Sequence, residues 1–247
     1  MYYLRYFKTQ AEAIGQASNI PTVAMVEGVD KVGYFDGDTS KLYTFTADGN
    51  FIKIEIAKLV CTYNVTSTTS ATQLLYGSYD LSNIASMEVD GVDTMVANTY
   101  KFSTKGKHTV KFTLKDGVTS IGSSAFGFCT ELTSITIPDG VTSIEYEAFT
   151  RCSSLTSVVI PNSVTSIGND AFSSCSSLTS ITIPDSVTSI LEDAFYKCSK
   201  LTSISYTGTV AQWKNIFRYQ SAYSSWKIAV PATTVTCSDG ICGLDDK

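Results

Sequence analysis

The sequence predicts a mainly β protein: a sandwich-like N-terminal β domain, then a solenoid of 23-residue coils, then a C-terminal cap. Three observations carry this reading. Val118-Thr-Ser-Ile, Val141-Thr-Ser-Ile, Val164-Thr-Ser-Ile and Val187-Thr-Ser-Ile follow one another at an unbroken interval of 23 residues, and a fixed period of this length marks stacked repeats. Ser, Thr, Tyr and Gly are abundant while long charged helix-forming stretches are missing, which favours strands and turns. Ahead of the repeat, short strand-like runs alternate with Gly- and Asp-Gly-containing turns. With 247 residues and 43% hydrophobic side chains, the chain is long enough for a domain plus an array.

Residues 1–56 read as a short helix and two consecutive hairpins, a possible anchoring segment. Thr9-Gln-Ala-Glu12 is a capping box opening an Ala-rich helix that Pro21 must follow rather than join. The runs 22–27, 31–35, 41–46 and 51–56 come next as strands. Residues 57–114 hold runs at 59–65, 84–89, 92–97, 100–104 and 109–114 with the spacing of a small β-sandwich. Within it, Thr66-Ser-Thr-Thr-Ser-Ala-Thr72 is expected to be a loop. The segment 109–117 has the strand half of a repeat without the preceding turn, so it is expected to be the N-terminal cap of the array.

The array itself covers 115–208. One unit reads Leu-x-x-Ile-x-Ile-Pro-x-x-Val-x-x-Ile-x-x-x-Ala-Phe-x-x-Cys-x-x, and its apolar positions keep neither a helical nor a strand period over the whole length. They mark the inward corners of a coil. In Leu178-Thr-Ser-Ile-Thr-Ile-Pro184, alternation puts Ile181 and Ile183 inward and Ser180 and Thr182 outward. Pro184 ends the strand because it has no N–H to offer a neighbouring coil. A lone coil cannot offset the entropy of ordering its backbone, so the array stands by stacking. Thr and Ser rows in adjacent coils are expected to hydrogen-bond as ladders.

With Ile-Pro, Val-x-x-Ile and Ala-Phe-x-x-Cys recurring in this order, the unit resembles the BspA-like leucine-rich-repeat family over roughly 110–210. The resemblance implies a right-handed solenoid with short parallel strands on one face, surface display, and recognition of a protein or glycan. Two further resemblances lie outside the array. Tyr100-Lys-Phe-Ser-Thr-Lys-Gly-Lys-His-Thr-Val-Lys-Phe112 resembles the closing hairpin of immunoglobulin-like modules in bacterial surface proteins. Phe7-Lys-Thr-Gln-Ala-Glu-Ala, Ile20-Pro-Thr-Val-Ala-Met-Val-Glu and Val32-Gly-Tyr-Phe resemble N-terminal segments of virion structural proteins from phages of gut bacteria. The last implies docking to a particle or tail.

Residues 209–247 form the cap. Thr209 is the N-cap of a short helix, and Trp213, Phe217 and Trp226 are expected to cover the last coil. Residues 227–230 and 233–237 read as a terminal hairpin, with Ser-Asp-Gly at the turn that follows.

Candidate chemistry is sparse. Cys129, Cys152, Cys175 and Cys198 recur at the repeat interval without accompanying His, so they read as small buried hydrophobes rather than metal ligands. Cys61 reads as core; Cys237 and Cys242 either pair in an oxidising compartment or stay free. The single histidine, His108, lacks a sequence context for nucleophilic catalysis. Asp36-Gly-Asp-Thr-Ser40 reads as a hairpin turn, because Ala47 stands where a calcium loop needs its bidentate glutamate. Glu145, Glu147, Asp170, Glu192 and Asp193 precede the Ala-Phe corners and read as a solvated face. No metal, no cofactor and no catalytic residue is expected.

The surface with a case for function is the outward strand face: Ser134, Thr136, Ser157, Val159, Ser180, Thr182, Ser203 and Ser205. The net charge of −5 and the lack of a basic run argue against nucleic acid. Neither a secretion signal nor a membrane span is visible. The expectation is therefore a non-enzymatic adhesion module at the cell surface that binds a protein or glycan through this face or through loops, and that is able to form homo-oligomers. The alternative is a phage virion protein using the same fold for display.

Overall fold

The computed structural model describes the backbone of residues 23–24, 33–35, 42–45 and 51–54, residues 58–76, 80–115, 117–216 and 230–244 with their side chains, and the backbone of 217–218. It divides into two compact units, 1–56 and 57–247. In the first, β1 (Val23–Ala24), β2 (Gly33–Phe35), β3 (Leu42–Phe45) and β4 (Phe51–Ile54) form one antiparallel meander in chain order. These are the centres of the four expected strands. The helix expected from Thr9 lies outside the described residues.

The second unit opens with β5 (Lys58–Val65), whose alternation buries Leu59, Cys61, Tyr63 and Val65. Next come β6 (Thr72–Gln73), a 3-10 turn at Leu81–Asn83, β7 (Ile84–Val89), β8 (Val92–Thr94), β9 (Thr99–Tyr100) and β10 (Gly106–Leu114). Asp90 and Gly91, both at positive φ, turn β7 into β8, as a two-residue hairpin requires.

The coils supply two series of parallel strands. One is β11 (Ser120–Ile121), β13 (Ser143–Ile144), β15 (Ser166–Ile167) and β17 (Ser189–Ile190), hydrogen-bonded in that order. The other is β12 (Leu132–Thr136), β14 (Ser157–Val159), β16 (Ser180–Ile183) and β18 (Ser203–Tyr206). Between the series lies a single core. Phe126, Phe149, Phe172 and Phe195 are buried and stack face to face, with centroids 5.2, 5.1 and 5.3 Å apart and planes within 8°. This ring column sets the pitch of the solenoid.

The region 57–114 departs from the expected sandwich. Its strands β5, β10, β7 and β8 lie in one sheet that continues directly into the coils, in the order β14-β12-β5-β10-β7-β8. The other pairing in this region is the short β6–β9 ladder. Tyr100 therefore pairs with Thr72, and 100–112 is not a closing hairpin of an immunoglobulin-like module. The strand abutting the first coil is β5, with Cys61 opposite Ile135, and not 109–117 as the repeat pattern suggested. The reason is physical: alternation specifies that one face of a strand is buried, but not whether a second sheet or an open solenoid end buries it.

At the other end, α1 (Val210–Arg218) covers the last coil. Thr209 Oγ1 accepts from the Gln212 N–H at 3.2 Å, and Gln212 Oε1 accepts from the Thr209 N–H at 2.8 Å, closing a capping box. Trp213 is fully buried with its ring 5.3 Å from that of Tyr206, as expected of a capping aromatic. The side chains of Phe217 and Trp226 lie outside the described residues.

The terminal hairpin is shifted from the expected one: β19 (Thr234–Cys237) pairs with β20 (Gly240–Gly243) across the Ser238-Asp239 turn. β19 also adds in parallel to β18. The Ser-Asp-Gly segment is thus the turn of the hairpin itself rather than its sequel.

Candidate functional site

The outward face is laid down by strand alternation. In β16 Ile181 and Ile183 are buried while Ser180 and Thr182 are exposed, and the neighbouring strands keep the same phase. Ser134 lies beside Ser157 and Thr136 beside Val159; Ser180 lies beside Ser203 and Thr182 beside Ser205. Thr136, Ser157, Val159, Ser180, Thr182 and Ser203 are exposed, and Ser134 and Ser205 half-buried. All eight expected positions thus point away from the core, in two groups, because β14 and β16 close separate sheets and share no ladder. At this seam Val158 and Ile160 keep 8% exposure against 3% and 0% for Ile181 and Ile183 one coil on.

Stacking uses other hydroxyls. Thr133 donates to the Thr62 carbonyl at 3.0 Å, Thr156 to Thr133 at 3.0 Å and Thr202 to Thr179 at 3.4 Å. On the second series, Thr142 donates to Thr119 and Thr165 to Thr142, each at 3.1 Å, and Ser163 and Ser186 donate to Val141 and Val164 at 2.7 Å. These are hydroxyl-to-carbonyl rungs rather than the hydroxyl-to-hydroxyl ladders expected. Among the described residues, none of the outward Ser and Thr side chains of the eight spends its hydroxyl on a neighbouring coil.

The face is broader than the repeat alone indicated. Thr136 pairs with Val60 and Ser134 with Thr62, and β10 then sets Lys111 opposite Val60, Thr109 opposite Thr62 and Thr113 opposite Lys58. Glu88 on β7 stands opposite Lys111, accepting from Nζ at 2.8 Å, with Lys58 Nζ 3.6 Å from its other oxygen. The hydrogen bond from Lys111, ahead of the charges of Lys111 and Lys58, holds the Glu88 carboxyl below its ordinary range. On the far side, Thr236 of β19 lies beside Ser205. Sequence reading missed these residues because alternation marks Val60 and Thr62 as outward without saying which strand lies next to theirs.

The remaining candidates have structural roles. His108 is buried, with Nδ1 2.7 Å from Asp90 Oδ2, Nε2 3.0 Å from the Thr104 carbonyl, and its ring 4.4 Å from that of Phe102. Both nitrogens are engaged by the hairpins they tie together. Cys152, Cys175 and Cys198 each donate to the carbonyl of the preceding coil's Phe, at 3.0, 3.1 and 3.1 Å. Burial pushes these thiols up, Cys198 to about 12, so thiolates for metal binding are disfavoured. Cys237 and Cys242 are free thiols, both buried, at diagonal positions of the β19–β20 hairpin. The Asp36 turn lies outside the described residues. Among the described residues no cluster of His, Cys, Asp and Glu has the arrangement of a metal site, and no helix is long and apolar enough to cross a membrane.

Comparison with known proteins agrees with this geometry. The BspA type leucine rich repeat region matches residues 97–224 in six copies, and the chain belongs to this family. Among solved structures it is similar to a leucine rich cell surface protein from Faecalibacterium prausnitzii A2-165, at 22% identity and a TM-score of 0.38, over 72% of this chain and 41% of that one. It is also similar to a leucine-rich repeat protein from Bacteroides ovatus, at 32% identity and a TM-score of 0.36, over 39% of this chain and 25% of that one. A third is the leucine rich repeat protein of T. pallidum, at 29% identity and a TM-score of 0.30, over 36% and 54%. The chain thus spans less than two thirds of the length of each. No curated protein matches the sequence.

Proposed function

We propose that this chain is a surface-displayed, non-enzymatic adhesion module whose ligand, a protein, lies across the outward sheet face. The observation that carries the reading is the division of labour among hydroxyls. Thr133, Thr156, Thr202, Thr142 and Thr165 hold the coils together, whereas Ser134, Thr136, Ser157, Ser180, Thr182, Ser203 and Ser205 are left for a partner. Short hydroxyls present donors and acceptors at little cost in side-chain entropy. Val159, 53% exposed, adds an apolar contact beside Ser157, and Lys58, Glu88 and Lys111 give the N-terminal end of the face its charge. The similarity to a leucine rich cell surface protein supports surface display.

The test is solid-phase binding of the full chain to a panel of extracellular-matrix proteins and glycans. Thr136→Arg with Thr182→Arg is expected to abolish saturable binding to a protein of the panel, and the same change at the exposed Thr188, just ahead of β17 in the other strand series, to leave it intact. Saturable binding to glycans alone would overturn the protein reading, and binding indifferent to Thr136→Arg with Thr182→Arg would remove the face from it.

A further inference from the structure

One corner of the coils carries what the sheet face lacks. Each coil turns through a corner whose first and last residues both take left-handed backbone: Ser124 and Phe128, Glu147 and Arg151, Asp170 and Ser174, Asp193 and Lys197. Main-chain bonds tie successive corners together, each from a corner's last residue to the residue before its equivalent in the next coil: the Phe128 N–H to the Thr150 carbonyl, Arg151 to Ser173 and Ser174 to Tyr196, at 2.8, 2.7 and 2.6 Å. Two columns therefore climb the solenoid at the pitch of the Phe stack. One reads Ser124, Glu147, Asp170, Asp193 and is anionic beyond its first residue; the other reads Phe128, Arg151, Ser174, Lys197 and carries cations at Arg151 and Lys197.

The same corner is apolar where it is not charged. Phe128, Tyr146 and Leu191 are 43%, 50% and 43% exposed, and apolar exposure rimmed by charge marks interaction surfaces. Both cations are held ready. Arg151 lies over the Phe128 ring at 5.1 Å, that ring stacks on Tyr76 at 5.9 Å, and Lys197 lies over Tyr196 at 5.1 Å. Among the described residues, no carboxylate lies within ion-pair distance of Arg151 or Lys197.

We infer that this ridge is the docking surface for a second copy of the chain, related by a two-fold axis parallel to the solenoid axis. In that arrangement Arg151 meets the partner subunit's Glu147, Lys197 meets the partner subunit's Asp193, and the Ser174 hydroxyl donates to the partner subunit's Asp170. The two-fold repeats each contact, as an isologous interface must. A ridge of both signs suits neither a polyanion nor a polycation, but it is its own complement after rotation. Arg151 and Lys197 stand two coils apart, as do Glu147 and Asp193, so solenoids of identical pitch keep both pairs in register. Exposed ion pairs are individually weak, which makes the dimer weak and salt-sensitive. Ridge and sheet face come from different segments of each coil, so pairing leaves both outward faces open and a two-site ligand gains avidity.

Sedimentation velocity of the full chain over a concentration series tests this. A reversible dimer is expected at low ionic strength and a monomer at high ionic strength. R151E with K197E should weaken the dimer about tenfold or more, as should E147K with D193K. Each variant is checked for native circular dichroism, and mixing the two should restore a heterodimer through swapped charges. A chain that stays monomeric at low ionic strength, a dimer indifferent to R151E with K197E, or folded variants that fail to combine on mixing would each overturn the inference.

Discussion

The thiol of Cys129 donates to the carbonyl oxygen of Leu74 at 3.4 Å, where in later coils the acceptor is the Phe carbonyl one turn back. Leu74, fully buried, so stands in for a coil that does not exist. Tyr63 donates to the same carbonyl at 2.7 Å, and Thr133 finds in Thr62 the acceptor that Thr156 finds in Thr133. The N-terminal part of the second unit satisfies the first coil bond by bond, as a capping element must if the array is not to end on open polar groups.

The cysteine column is expected to behave as core. Cys175→Ala removes a buried side chain and its bond to the Phe149 carbonyl, so urea unfolding should show a loss of about 1–2 kcal/mol. In the native state the repeat thiols should resist alkylation and become reactive only on unfolding, as the upward shift by burial requires.

Glu131 supplies a pH-dependent clamp. Its Oε1 accepts from the Thr66 N–H at 2.7 Å and the Thr66 hydroxyl at 2.5 Å, and its Oε2 from the Thr72 hydroxyl at 2.6 Å. Burial opposes ionisation, but these bonds prevail and hold the carboxyl below its usual 4.5. Since the folded value is depressed, the stabilisation is present above about pH 4.5 and is lost as pH falls through the folded value. Glu131→Ala should cost about 1.5–3 kcal/mol at neutral pH. The difference from the parent chain in urea midpoint should shrink steadily on acidification.

Asp170 has the opposite sign. Burial, then the charges of Asp193 and Glu147, raise its carboxyl above the usual 3.8 against a hydrogen bond from Ser173. A raised carboxyl gains folded-state protons as pH falls, so ionised Asp170 destabilises the corner at neutral pH and this penalty fades below the raised value. Asp170→Asn, which also tolerates the positive φ of 55°, should stabilise the chain by about 0.5 kcal/mol at neutral pH. Thermal melts across the acid range should show the gain disappearing.

What the sequence made legible follows from what a repeat repeats. The coil period, the inward Ile181 and Ile183, the recurring Ala-Phe corner and the Thr209 N-cap are local patterns, and local patterns survive folding unchanged. The left-handed corners were not legible, because Phe128, Arg151 and Lys197 are not residue types that announce positive φ. The corner is enforced instead by the main-chain bonds between coils. Nor did the pattern show that β5 would pair with β12 across an intervening stretch of some 70 residues, as between Cys61 and Ile135. The phase of Val60 and Thr62 was readable; their neighbours were not, and so the outward face came out too narrow.

One set of hydroxyls stacks the coils and another faces outward, and equilibrium urea unfolding of two double variants separates the two sets. Thr133→Ala with Thr156→Ala should lose about 1–3 kcal/mol, the worth of two hydrogen bonds. Ser157→Ala with Ser180→Ala should stay within about 0.5 kcal/mol of the parent chain. Equal losses in the two would make the outward hydroxyls part of the stacking framework and contradict the account.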